Sequence, residues 1–240
     1  MLRVPLAELC AGERVLDDTS ARYVTRVHRL ETGAVFLAFD PVASLEAEAE
    51  LLSTGRQVSV RMGRPVPCAN VPRRRVTVIQ TASKGTKIDD VLRDATELGV
   101  TRFVIAIGIR SVKRPLASQL PRWTRIAVQA ARQCGRGDVP ELVGPLPLGD
   151  ALAEPGTVRW LLEPRGDSLQ NAALAALAAM AGSDGATVLV VGPEGGFAPE
   201  ELAVADRLDY RRVALGPFIL RTETACAAAL GALLATTGAS

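Results

Sequence analysis

Residues 191–202 read Val-Gly-Pro-Glu-Gly-Gly-Phe-Ala-Pro-Glu-Glu-Leu and set one carboxylate, Glu194, among Gly192, Pro193, Gly195 and Gly196. The apolar run Thr187–Val191 leads into them, and an amphipathic segment begins at Pro199. Strand, glycine-rich loop, helix is the order in which α/β proteins seat nucleotide-like ligands. A phosphate cradle of the type G-x-x-x-x-G-K-[ST] adds a lysine to its backbone amides. No such lysine follows here, and the G-x-G-x-x-G spacing is also absent. A carboxylate about 4 Å from a phosphate costs about 1 kcal/mol even in bulk water, and more once desolvated. Glu194 therefore suits a cationic or neutral ligand.

S-adenosylmethionine meets that condition, because it carries a sulfonium and no phosphate. Glycines let backbone amides approach its adenine and ribose. The alternative, that Glu194 caps the following helix or pairs with an arginine, stays open at this level. A second stretch, Leu215-Gly-Pro-Phe-Ile-Leu-Arg-Thr-Glu-Thr-Ala225, again reads as strand end, loop and helix start. Thr222 is placed to cap the helix and Glu223 to complement its dipole. Arg221 stands just before the cap, where a cation opposes the positive end of a helix. It is better understood as pointing into a site.

These loops need a scaffold. From Arg73 onward, strand-like runs (Arg75–Gln80, Arg102–Gly108, Val158–Pro164, Thr187–Val191, Arg211–Gly216) alternate with helical ones (Lys87–Val100, Leu120–Arg136, Ser168–Gly182, Thr222–Thr236). Such alternation predicts an α/β domain with a mostly parallel sheet covered on both faces. Residues 1 to about 70 have β character instead, with strands expected over Tyr23–Leu30, Ala34–Asp40 and Gln57–Gly63. The proline-rich stretch Pro65–Pro72 breaks regular structure. The boundary is placed there, giving domains 1–72 and 73–240.

The bulk properties narrow the function classes. Apolar residues form 48% of the chain and aromatics only 4%, so alanine, valine and leucine must fill the core. No apolar run reaches the roughly 18 residues that span a bilayer. Acids appear too early in the N-terminal stretch for a secretory signal, so a cytoplasmic protein without a membrane partner is expected. The four cysteines form no C-x-x-C pair and His28 is the single histidine, which argues against a metal site. Residues 73–150 carry fourteen Lys and Arg against seven acids, although the whole chain is only +2. A basic block of this kind favours a polyanionic partner such as RNA or DNA.

At this point the segments resemble a known family. "VGPEGGFAPEEL" and "VALGPFILRTETACAAAL" are similar to motifs of the bacterial 16S rRNA uridine-N3 methyltransferase family of the SPOUT superfamily. "SKGTKIDDVLRDATELGVTRF", "RWTRIAVQAARQCGRGDVPEL" and "YVTRVHRL" resemble its upstream segments, in the family's order. The resemblance implies a small PUA-like β-barrel followed by an α/β domain with a deep trefoil knot. It implies S-adenosylmethionine held by three loops: Leu162-Glu163-Pro164, Gly192 to Gly196, and Leu215 to Thr224. The last includes Gly216, Ile219, Leu220, Arg221 and Thr222. It also implies a homodimer acting on 16S rRNA of the small ribosomal subunit. Three positions depart from the pattern: Phe218 replaces an arginine, Asp94 a lysine and Gln129 a glutamate.

Methylating uridine N3 requires removal of the N3 proton and alignment of the methyl with that nitrogen. Arg221 is the expected stabiliser of the developing negative charge, and Glu223 the weaker expectation for the base. The target base must leave its stack, and Arg26, Arg29, Lys84, Lys87, Arg110, Lys113, Arg132 and Arg136 are expected to grip phosphates. Two alternatives remain: a SPOUT ribose 2′-O-methyltransferase, and a non-catalytic RNA-binding assembly factor. The first fits less well, since only Asn70 and Asn171 are present and neither precedes an arginine.

Overall fold

A computed structural model describes residues 1–83, 87–112, 114–180 and 185–237. The chain divides into two compact units, Met1–Val71 with Val128–Val139, and Pro72–Ala127 with Pro140–Ser240. The segment Val128–Val139 thus groups with the first unit, although the sequence reading placed it in the second.

The first unit is built on a six-stranded sheet of β1 (Arg3–Pro5), β2 (Gly12–Val15), β3 (Val35–Asp40), β4 (Leu45–Thr54), β5 (Val58–Met62) and β6 (Val66–Pro67). The pairing path is β1-β3-β4-β5-β2, with β6 on β4. β1 and β2 end that path without pairing to each other, so the expected barrel is not closed. Ala47, Ala49 and Leu51 of β4 are buried while Glu46, Glu48 and Glu50 alternate with them, the period of a half-buried strand. This strand is absent from the sequence reading.

The expected strand Tyr23–Leu30 is a correction. Asp17 caps α1 (Asp18–Arg22) by accepting from Thr19 and Ser20 N–H at 2.9 and 3.0 Å. The helix then continues as a π-helical turn over Tyr23–Val27. The cap upstream commits the segment to helix, in which Val24 is buried and Val27 is exposed.

The second unit holds one sheet in which every pairing is parallel, ordered β12-β10-β11-β7-β8-β9. The strands are β7 (Val76–Thr81), β8 (Arg102–Ile107), β9 (Glu141–Pro147), β10 (Val158–Ser168), β11 (Thr187–Val191) and β12 (Arg211–Ala214). Helices α4 (Leu148–Ala151) and α6 (Pro199–Arg207) cover one face around Ile79, Val104, Leu161 and Val190. Helices α2 (Lys87–Glu97), α5 (Leu169–Met180) and α7 (Thr222–Thr237) pack against each other and the other face. Ser168 Oγ accepts from Asn171 N–H at 3.3 Å at the start of α5. The remaining helix, α3 (Leu120–Cys134), carries Trp123, whose indole N–H donates to Asp89 of α2 at 3.0 Å. Arg122 also pairs with that carboxylate, so two of the motif residues upstream join helices.

The strand order reverses between β11 and β7. The chain runs from β7 out through β8 and β9, then returns to β10 and β11 on the other side. The crevice at the carboxyl ends of strands near such a reversal is where open α/β sheets bind ligands.

Candidate active site

A cavity of about 320 Å³ opens at the carboxyl ends of β10, β11 and β12, beside the start of α7. Pockets for small ligands span roughly 300–1,000 Å³. Three loops from the sequence reading meet there, and each is shaped by a local cause.

The first loop is an excursion within β10. Leu162 and Asp167 both lie in register with Val213, so residues 163–166 leave the ladder. Glu163 and Pro164 are thereby carried to the cavity wall. Gly166 lets the chain return: a Cβ there would lie 2.5 Å from the carbonyl carbon of Arg212.

The second loop follows β11. Gly196 N–H donates to Pro193 carbonyl at 2.9 Å, closing a turn around Glu194 and Gly195. Gly196 has φ +67°, which favours glycine, while a Cβ on Gly192 would press on the Phe197 ring at 3.0 Å. Beyond the turn, Glu201 replaces a missing cap. Ala198 has no side-chain acceptor, and Glu201 accepts from Ala198 N–H and from Ile109 N–H, each at 2.7 Å. That carboxylate ties the start of α6 to the end of β8.

The third loop joins β12 to α7. Thr222 is the first residue of α7 and is buried, and its hydroxyl donates to Gly192 carbonyl at 3.4 Å. It therefore links the second and third loops instead of capping the helix.

The cavity is lined by Leu162, Glu163, Pro164, Gly192, Pro193, Glu194, Gly196, Leu215, Gly216, Ile219, Leu220, Arg221 and Thr222 from the sequence reading. Gly195 and Thr224 do not line it. Lys87, Val191, Phe197, Val213, Phe218 and Ala225 do; Phe218 lies within the expected Leu215–Thr224 loop without having been named for the cofactor, and the others lie outside the three loops. Val191, Phe197 and Val213 read as core from sequence, so no signal separated them from packing.

Two acids and two cations share this lining. Glu194 does not stand free for a ligand: its carboxylate pairs with Lys87 Nζ at 3.0 Å. The same contact engages Lys87, expected on phosphate. Arg221 is exposed and forms no ion pair among the described residues. The net charge of the lining is near zero, with backbone groups and apolar side chains filling the rest. That composition suits S-adenosylmethionine, a ligand of mixed charge without phosphates, and not a polyphosphate.

Glu223, the expected base, does not line the cavity. Its Oε2 is buried without a hydrogen-bond partner, and it acts electrostatically on Asp94 of α2. Burial first, then Asp90 and Glu223, raise the Asp94 carboxyl above its ordinary 3.8, against the lowering effect of Arg93. Burial, with Asp94 nearby, pushes the Cys226 thiol up to about 12. Glu223 thus acts on α2, while Thr222 and Ala225 of the same first turn of α7 line the cavity.

The expected RNA contacts separate in the same way. Arg26 and Arg29 are exposed. Arg110 is exposed and donates to Gly195 carbonyl at 3.0 Å. Arg132 lies over the Tyr23 ring at 4.7 Å and bonds its hydroxyl. Arg136 is 5% exposed and holds Asp138 through two hydrogen bonds of 2.6 and 2.9 Å, so the fold itself already engages its charge. Lys84 and Lys113 lie outside the described residues.

Comparison with known proteins gives the family. Residues 70–234 match the model of an RNA methyltransferase domain. Ribosomal RNA small subunit methyltransferase E of Synechocystis sp. is 31% identical over 238 residues, covering 92% of this chain and 74% of that protein. The protein of the same name from Mycobacterium bovis is 32% identical over 91% of this chain and 85% of its own length. Among solved structures, ribosomal RNA small subunit methyltransferase E of Neisseria gonorrhoeae bound to S-adenosyl methionine superposes with a TM-score of 0.86 at 29% identity. That match covers 98% of this chain and 97% of the other. With the match spanning both units of the fold and all three loops of the cavity, the chain belongs to the ribosomal RNA small subunit methyltransferase E family.

Proposed function

We propose that this chain is an S-adenosylmethionine-dependent methyltransferase that modifies N3 of a uridine in 16S rRNA of the small ribosomal subunit. The observation that carries the reading is the cavity: three loops from three neighbouring parallel strands meet at one charge-balanced, phosphate-averse space. When bound there, S-adenosylmethionine supplies an electrophilic methyl group. Backbone groups of Gly192, Gly196 and Gly216 and the apolar side chains of Leu162, Ile219 and Leu220 would hold it, and the closed turn at Pro193–Gly196 shapes that wall of the cavity.

The chain's own part in the reaction is positioning and charge. The uracil N3 loses its proton to solvent, and negative charge spreads toward the flanking carbonyl oxygens. Arg221, exposed at the mouth without an ion pair among the described residues, is the group that stabilises that charge. Holding the base in line with the methyl supplies the rest of the acceleration. The same reading includes a SPOUT-type knotted α/β domain, a PUA-like first domain, domains divided at 72/73, a homodimer and a cytoplasmic location. Among the described residues no helix is long and apolar enough to cross a membrane.

The deciding experiment is mass spectrometry of 16S rRNA nucleosides from cells with and without the gene. The reading requires 3-methyluridine to disappear with the gene and return with a plasmid copy. An unchanged level would sink it.

A further inference from the structure

We infer that Phe218 is the platform on which the target base stacks after leaving the RNA fold, with Arg221 beside it completing a base subsite. The inference rests on the methyltransferase reading above and adds the residue that selects and holds the substrate.

The chain has five phenylalanines. Phe36, Phe39, Phe103 and Phe197 are at most 4% exposed, and both tryptophans are buried, whereas Phe218 is 80% exposed. The one phenylalanine left in water stands on the wall of the cavity. Ile219, 86% exposed, extends the same apolar lip, and Arg221 follows two residues later. A base drawn from its stack leaves two π-faces in water. RNA-binding proteins cover such faces with aromatic side chains or with arginine. An exposed ring beside a guanidinium without an ion pair among the described residues matches a nucleotide, which joins a flat neutral base to an anionic backbone. The position favours a base over a second protein chain. Phe218 walls the same space as the loops that hold the methyl donor, so whatever covers the ring stands within reach of the transferred group.

The test uses the full chain with 16S rRNA from cells lacking the gene. Stacking on one aromatic ring is worth about a 5- to 100-fold change in affinity. Phe218→Ala and Phe218→Leu should lower kcat/KM for RNA by that factor, and Phe218→Tyr and Phe218→Trp should restore most of it. Mass by sedimentation should not change, and S-adenosylmethionine affinity by calorimetry should fall less than kcat/KM for RNA, since the ring walls the cofactor space without being among the groups assigned to hold it; an equal fall would overturn the inference. The indole introduced by Phe218→Trp is exposed, unlike the two buried native ones, so its emission should be quenched when RNA binds. Wild-type kcat/KM in Phe218→Ala would overturn the inference, while loss of the oligomer in that variant would assign the ring to a subunit contact and overturn it equally. If the unaltered chain transfers no methyl to this RNA, the parent reading fails, and the quenching experiment then shows separately whether a base meets the ring.

Discussion

Arg221 and Glu194 show how far a residue's type alone carries. Both were singled out for a charge that ordinary helix and loop architecture did not require. For Glu194 the fold supplies a partner, Lys87 at the start of α2, so its charge is matched without a ligand. For Arg221 it supplies none among the described residues. A cation at a helix N-terminus opposes the macrodipole by roughly 0.3–1 kcal/mol. With no acid of the fold to offset this, the developing charge of the substrate is the remaining candidate. Arg221→Lys should therefore leave melting temperature and S-adenosylmethionine affinity unchanged and slow single-turnover methylation about 10²-fold, because lysine lacks the planar fork. A wild-type single-turnover rate would take Arg221 out of the chemistry. The glycines separate similarly. Gly196 adopts φ +67°, whereas a Cβ on Gly195 meets only Arg110, at 3.5 Å or more. Gly196→Val should abolish cofactor binding by calorimetry while Gly195→Ala retains it; equal affinities would move the pocket away from this turn.

At the scale of elements, what was legible followed from local pattern. Continuous apolar runs such as Thr187–Val191 belong to strands buried on both faces, and the structure buries all five residues. Lys87–Glu97 repeats its apolar positions at helical spacing and folds as α2. β4 escaped notice because it is written in alanine and glutamate, which are helix formers by propensity, and only the sheet turns their alternation into a face. β9 contains Pro145 and Pro147, which argue against a strand, and it is tolerated because it lies at the sheet edge. The site loops were legible as loops, but the Lys87–Glu194 pair and the Thr222–Gly192 bond join residues far apart in sequence, and no local pattern encodes them. The α2–α7 pairing offers a test at this scale. Asp94 holds a raised carboxyl, chiefly through burial, with Asp90 and Glu223 adding and Arg93 opposing. Between its ordinary value of 3.8 and the raised one the folded chain binds more protons than the unfolded chain. Stability attributable to this group therefore falls as pH rises through that window and stays reduced above it. Asp94→Asn should raise the melting temperature at neutral pH and remove that fall. An identical melting profile from acid to neutral pH would show that the carboxyl is free of its neighbours.

Over the whole molecule the charge pattern survives folding in an altered form. Four of the seven acids in the basic block, Asp89, Asp90, Asp138 and Glu141, pair with arginines of the same block. Pairing within the block therefore removes equal numbers of each sign, and Lys87, held by Glu194 from outside it, lowers the surplus from seven to six. A surplus of this kind attracts RNA through release of counterions, and single-stranded or duplex contacts each contribute a salt slope of about 0.7–0.9 per phosphate neutralised. Which arginines carry that slope depends on what folding has left them to do. Arg136 is buried on Asp138, and Arg132 lays one face of its guanidinium on Tyr23, so both are already engaged within the fold. Arg26 and Arg29 are exposed. Replacing Arg26 and Arg29 together by alanine should flatten the dependence of log affinity on log salt by about 1.4–1.8 if each meets one phosphate. The melting temperature and S-adenosylmethionine affinity should hold. Arg136→Ala should do the reverse: it leaves Asp138 partly buried without its partner, so the melting temperature should fall before any change in salt slope. Binding isotherms at several salt concentrations, taken beside melting curves for both variants, separate the two roles. A flattened slope in a fully stable Arg136→Ala would return that residue to the RNA surface, and an unchanged slope in the double variant would remove Arg26 and Arg29 from it.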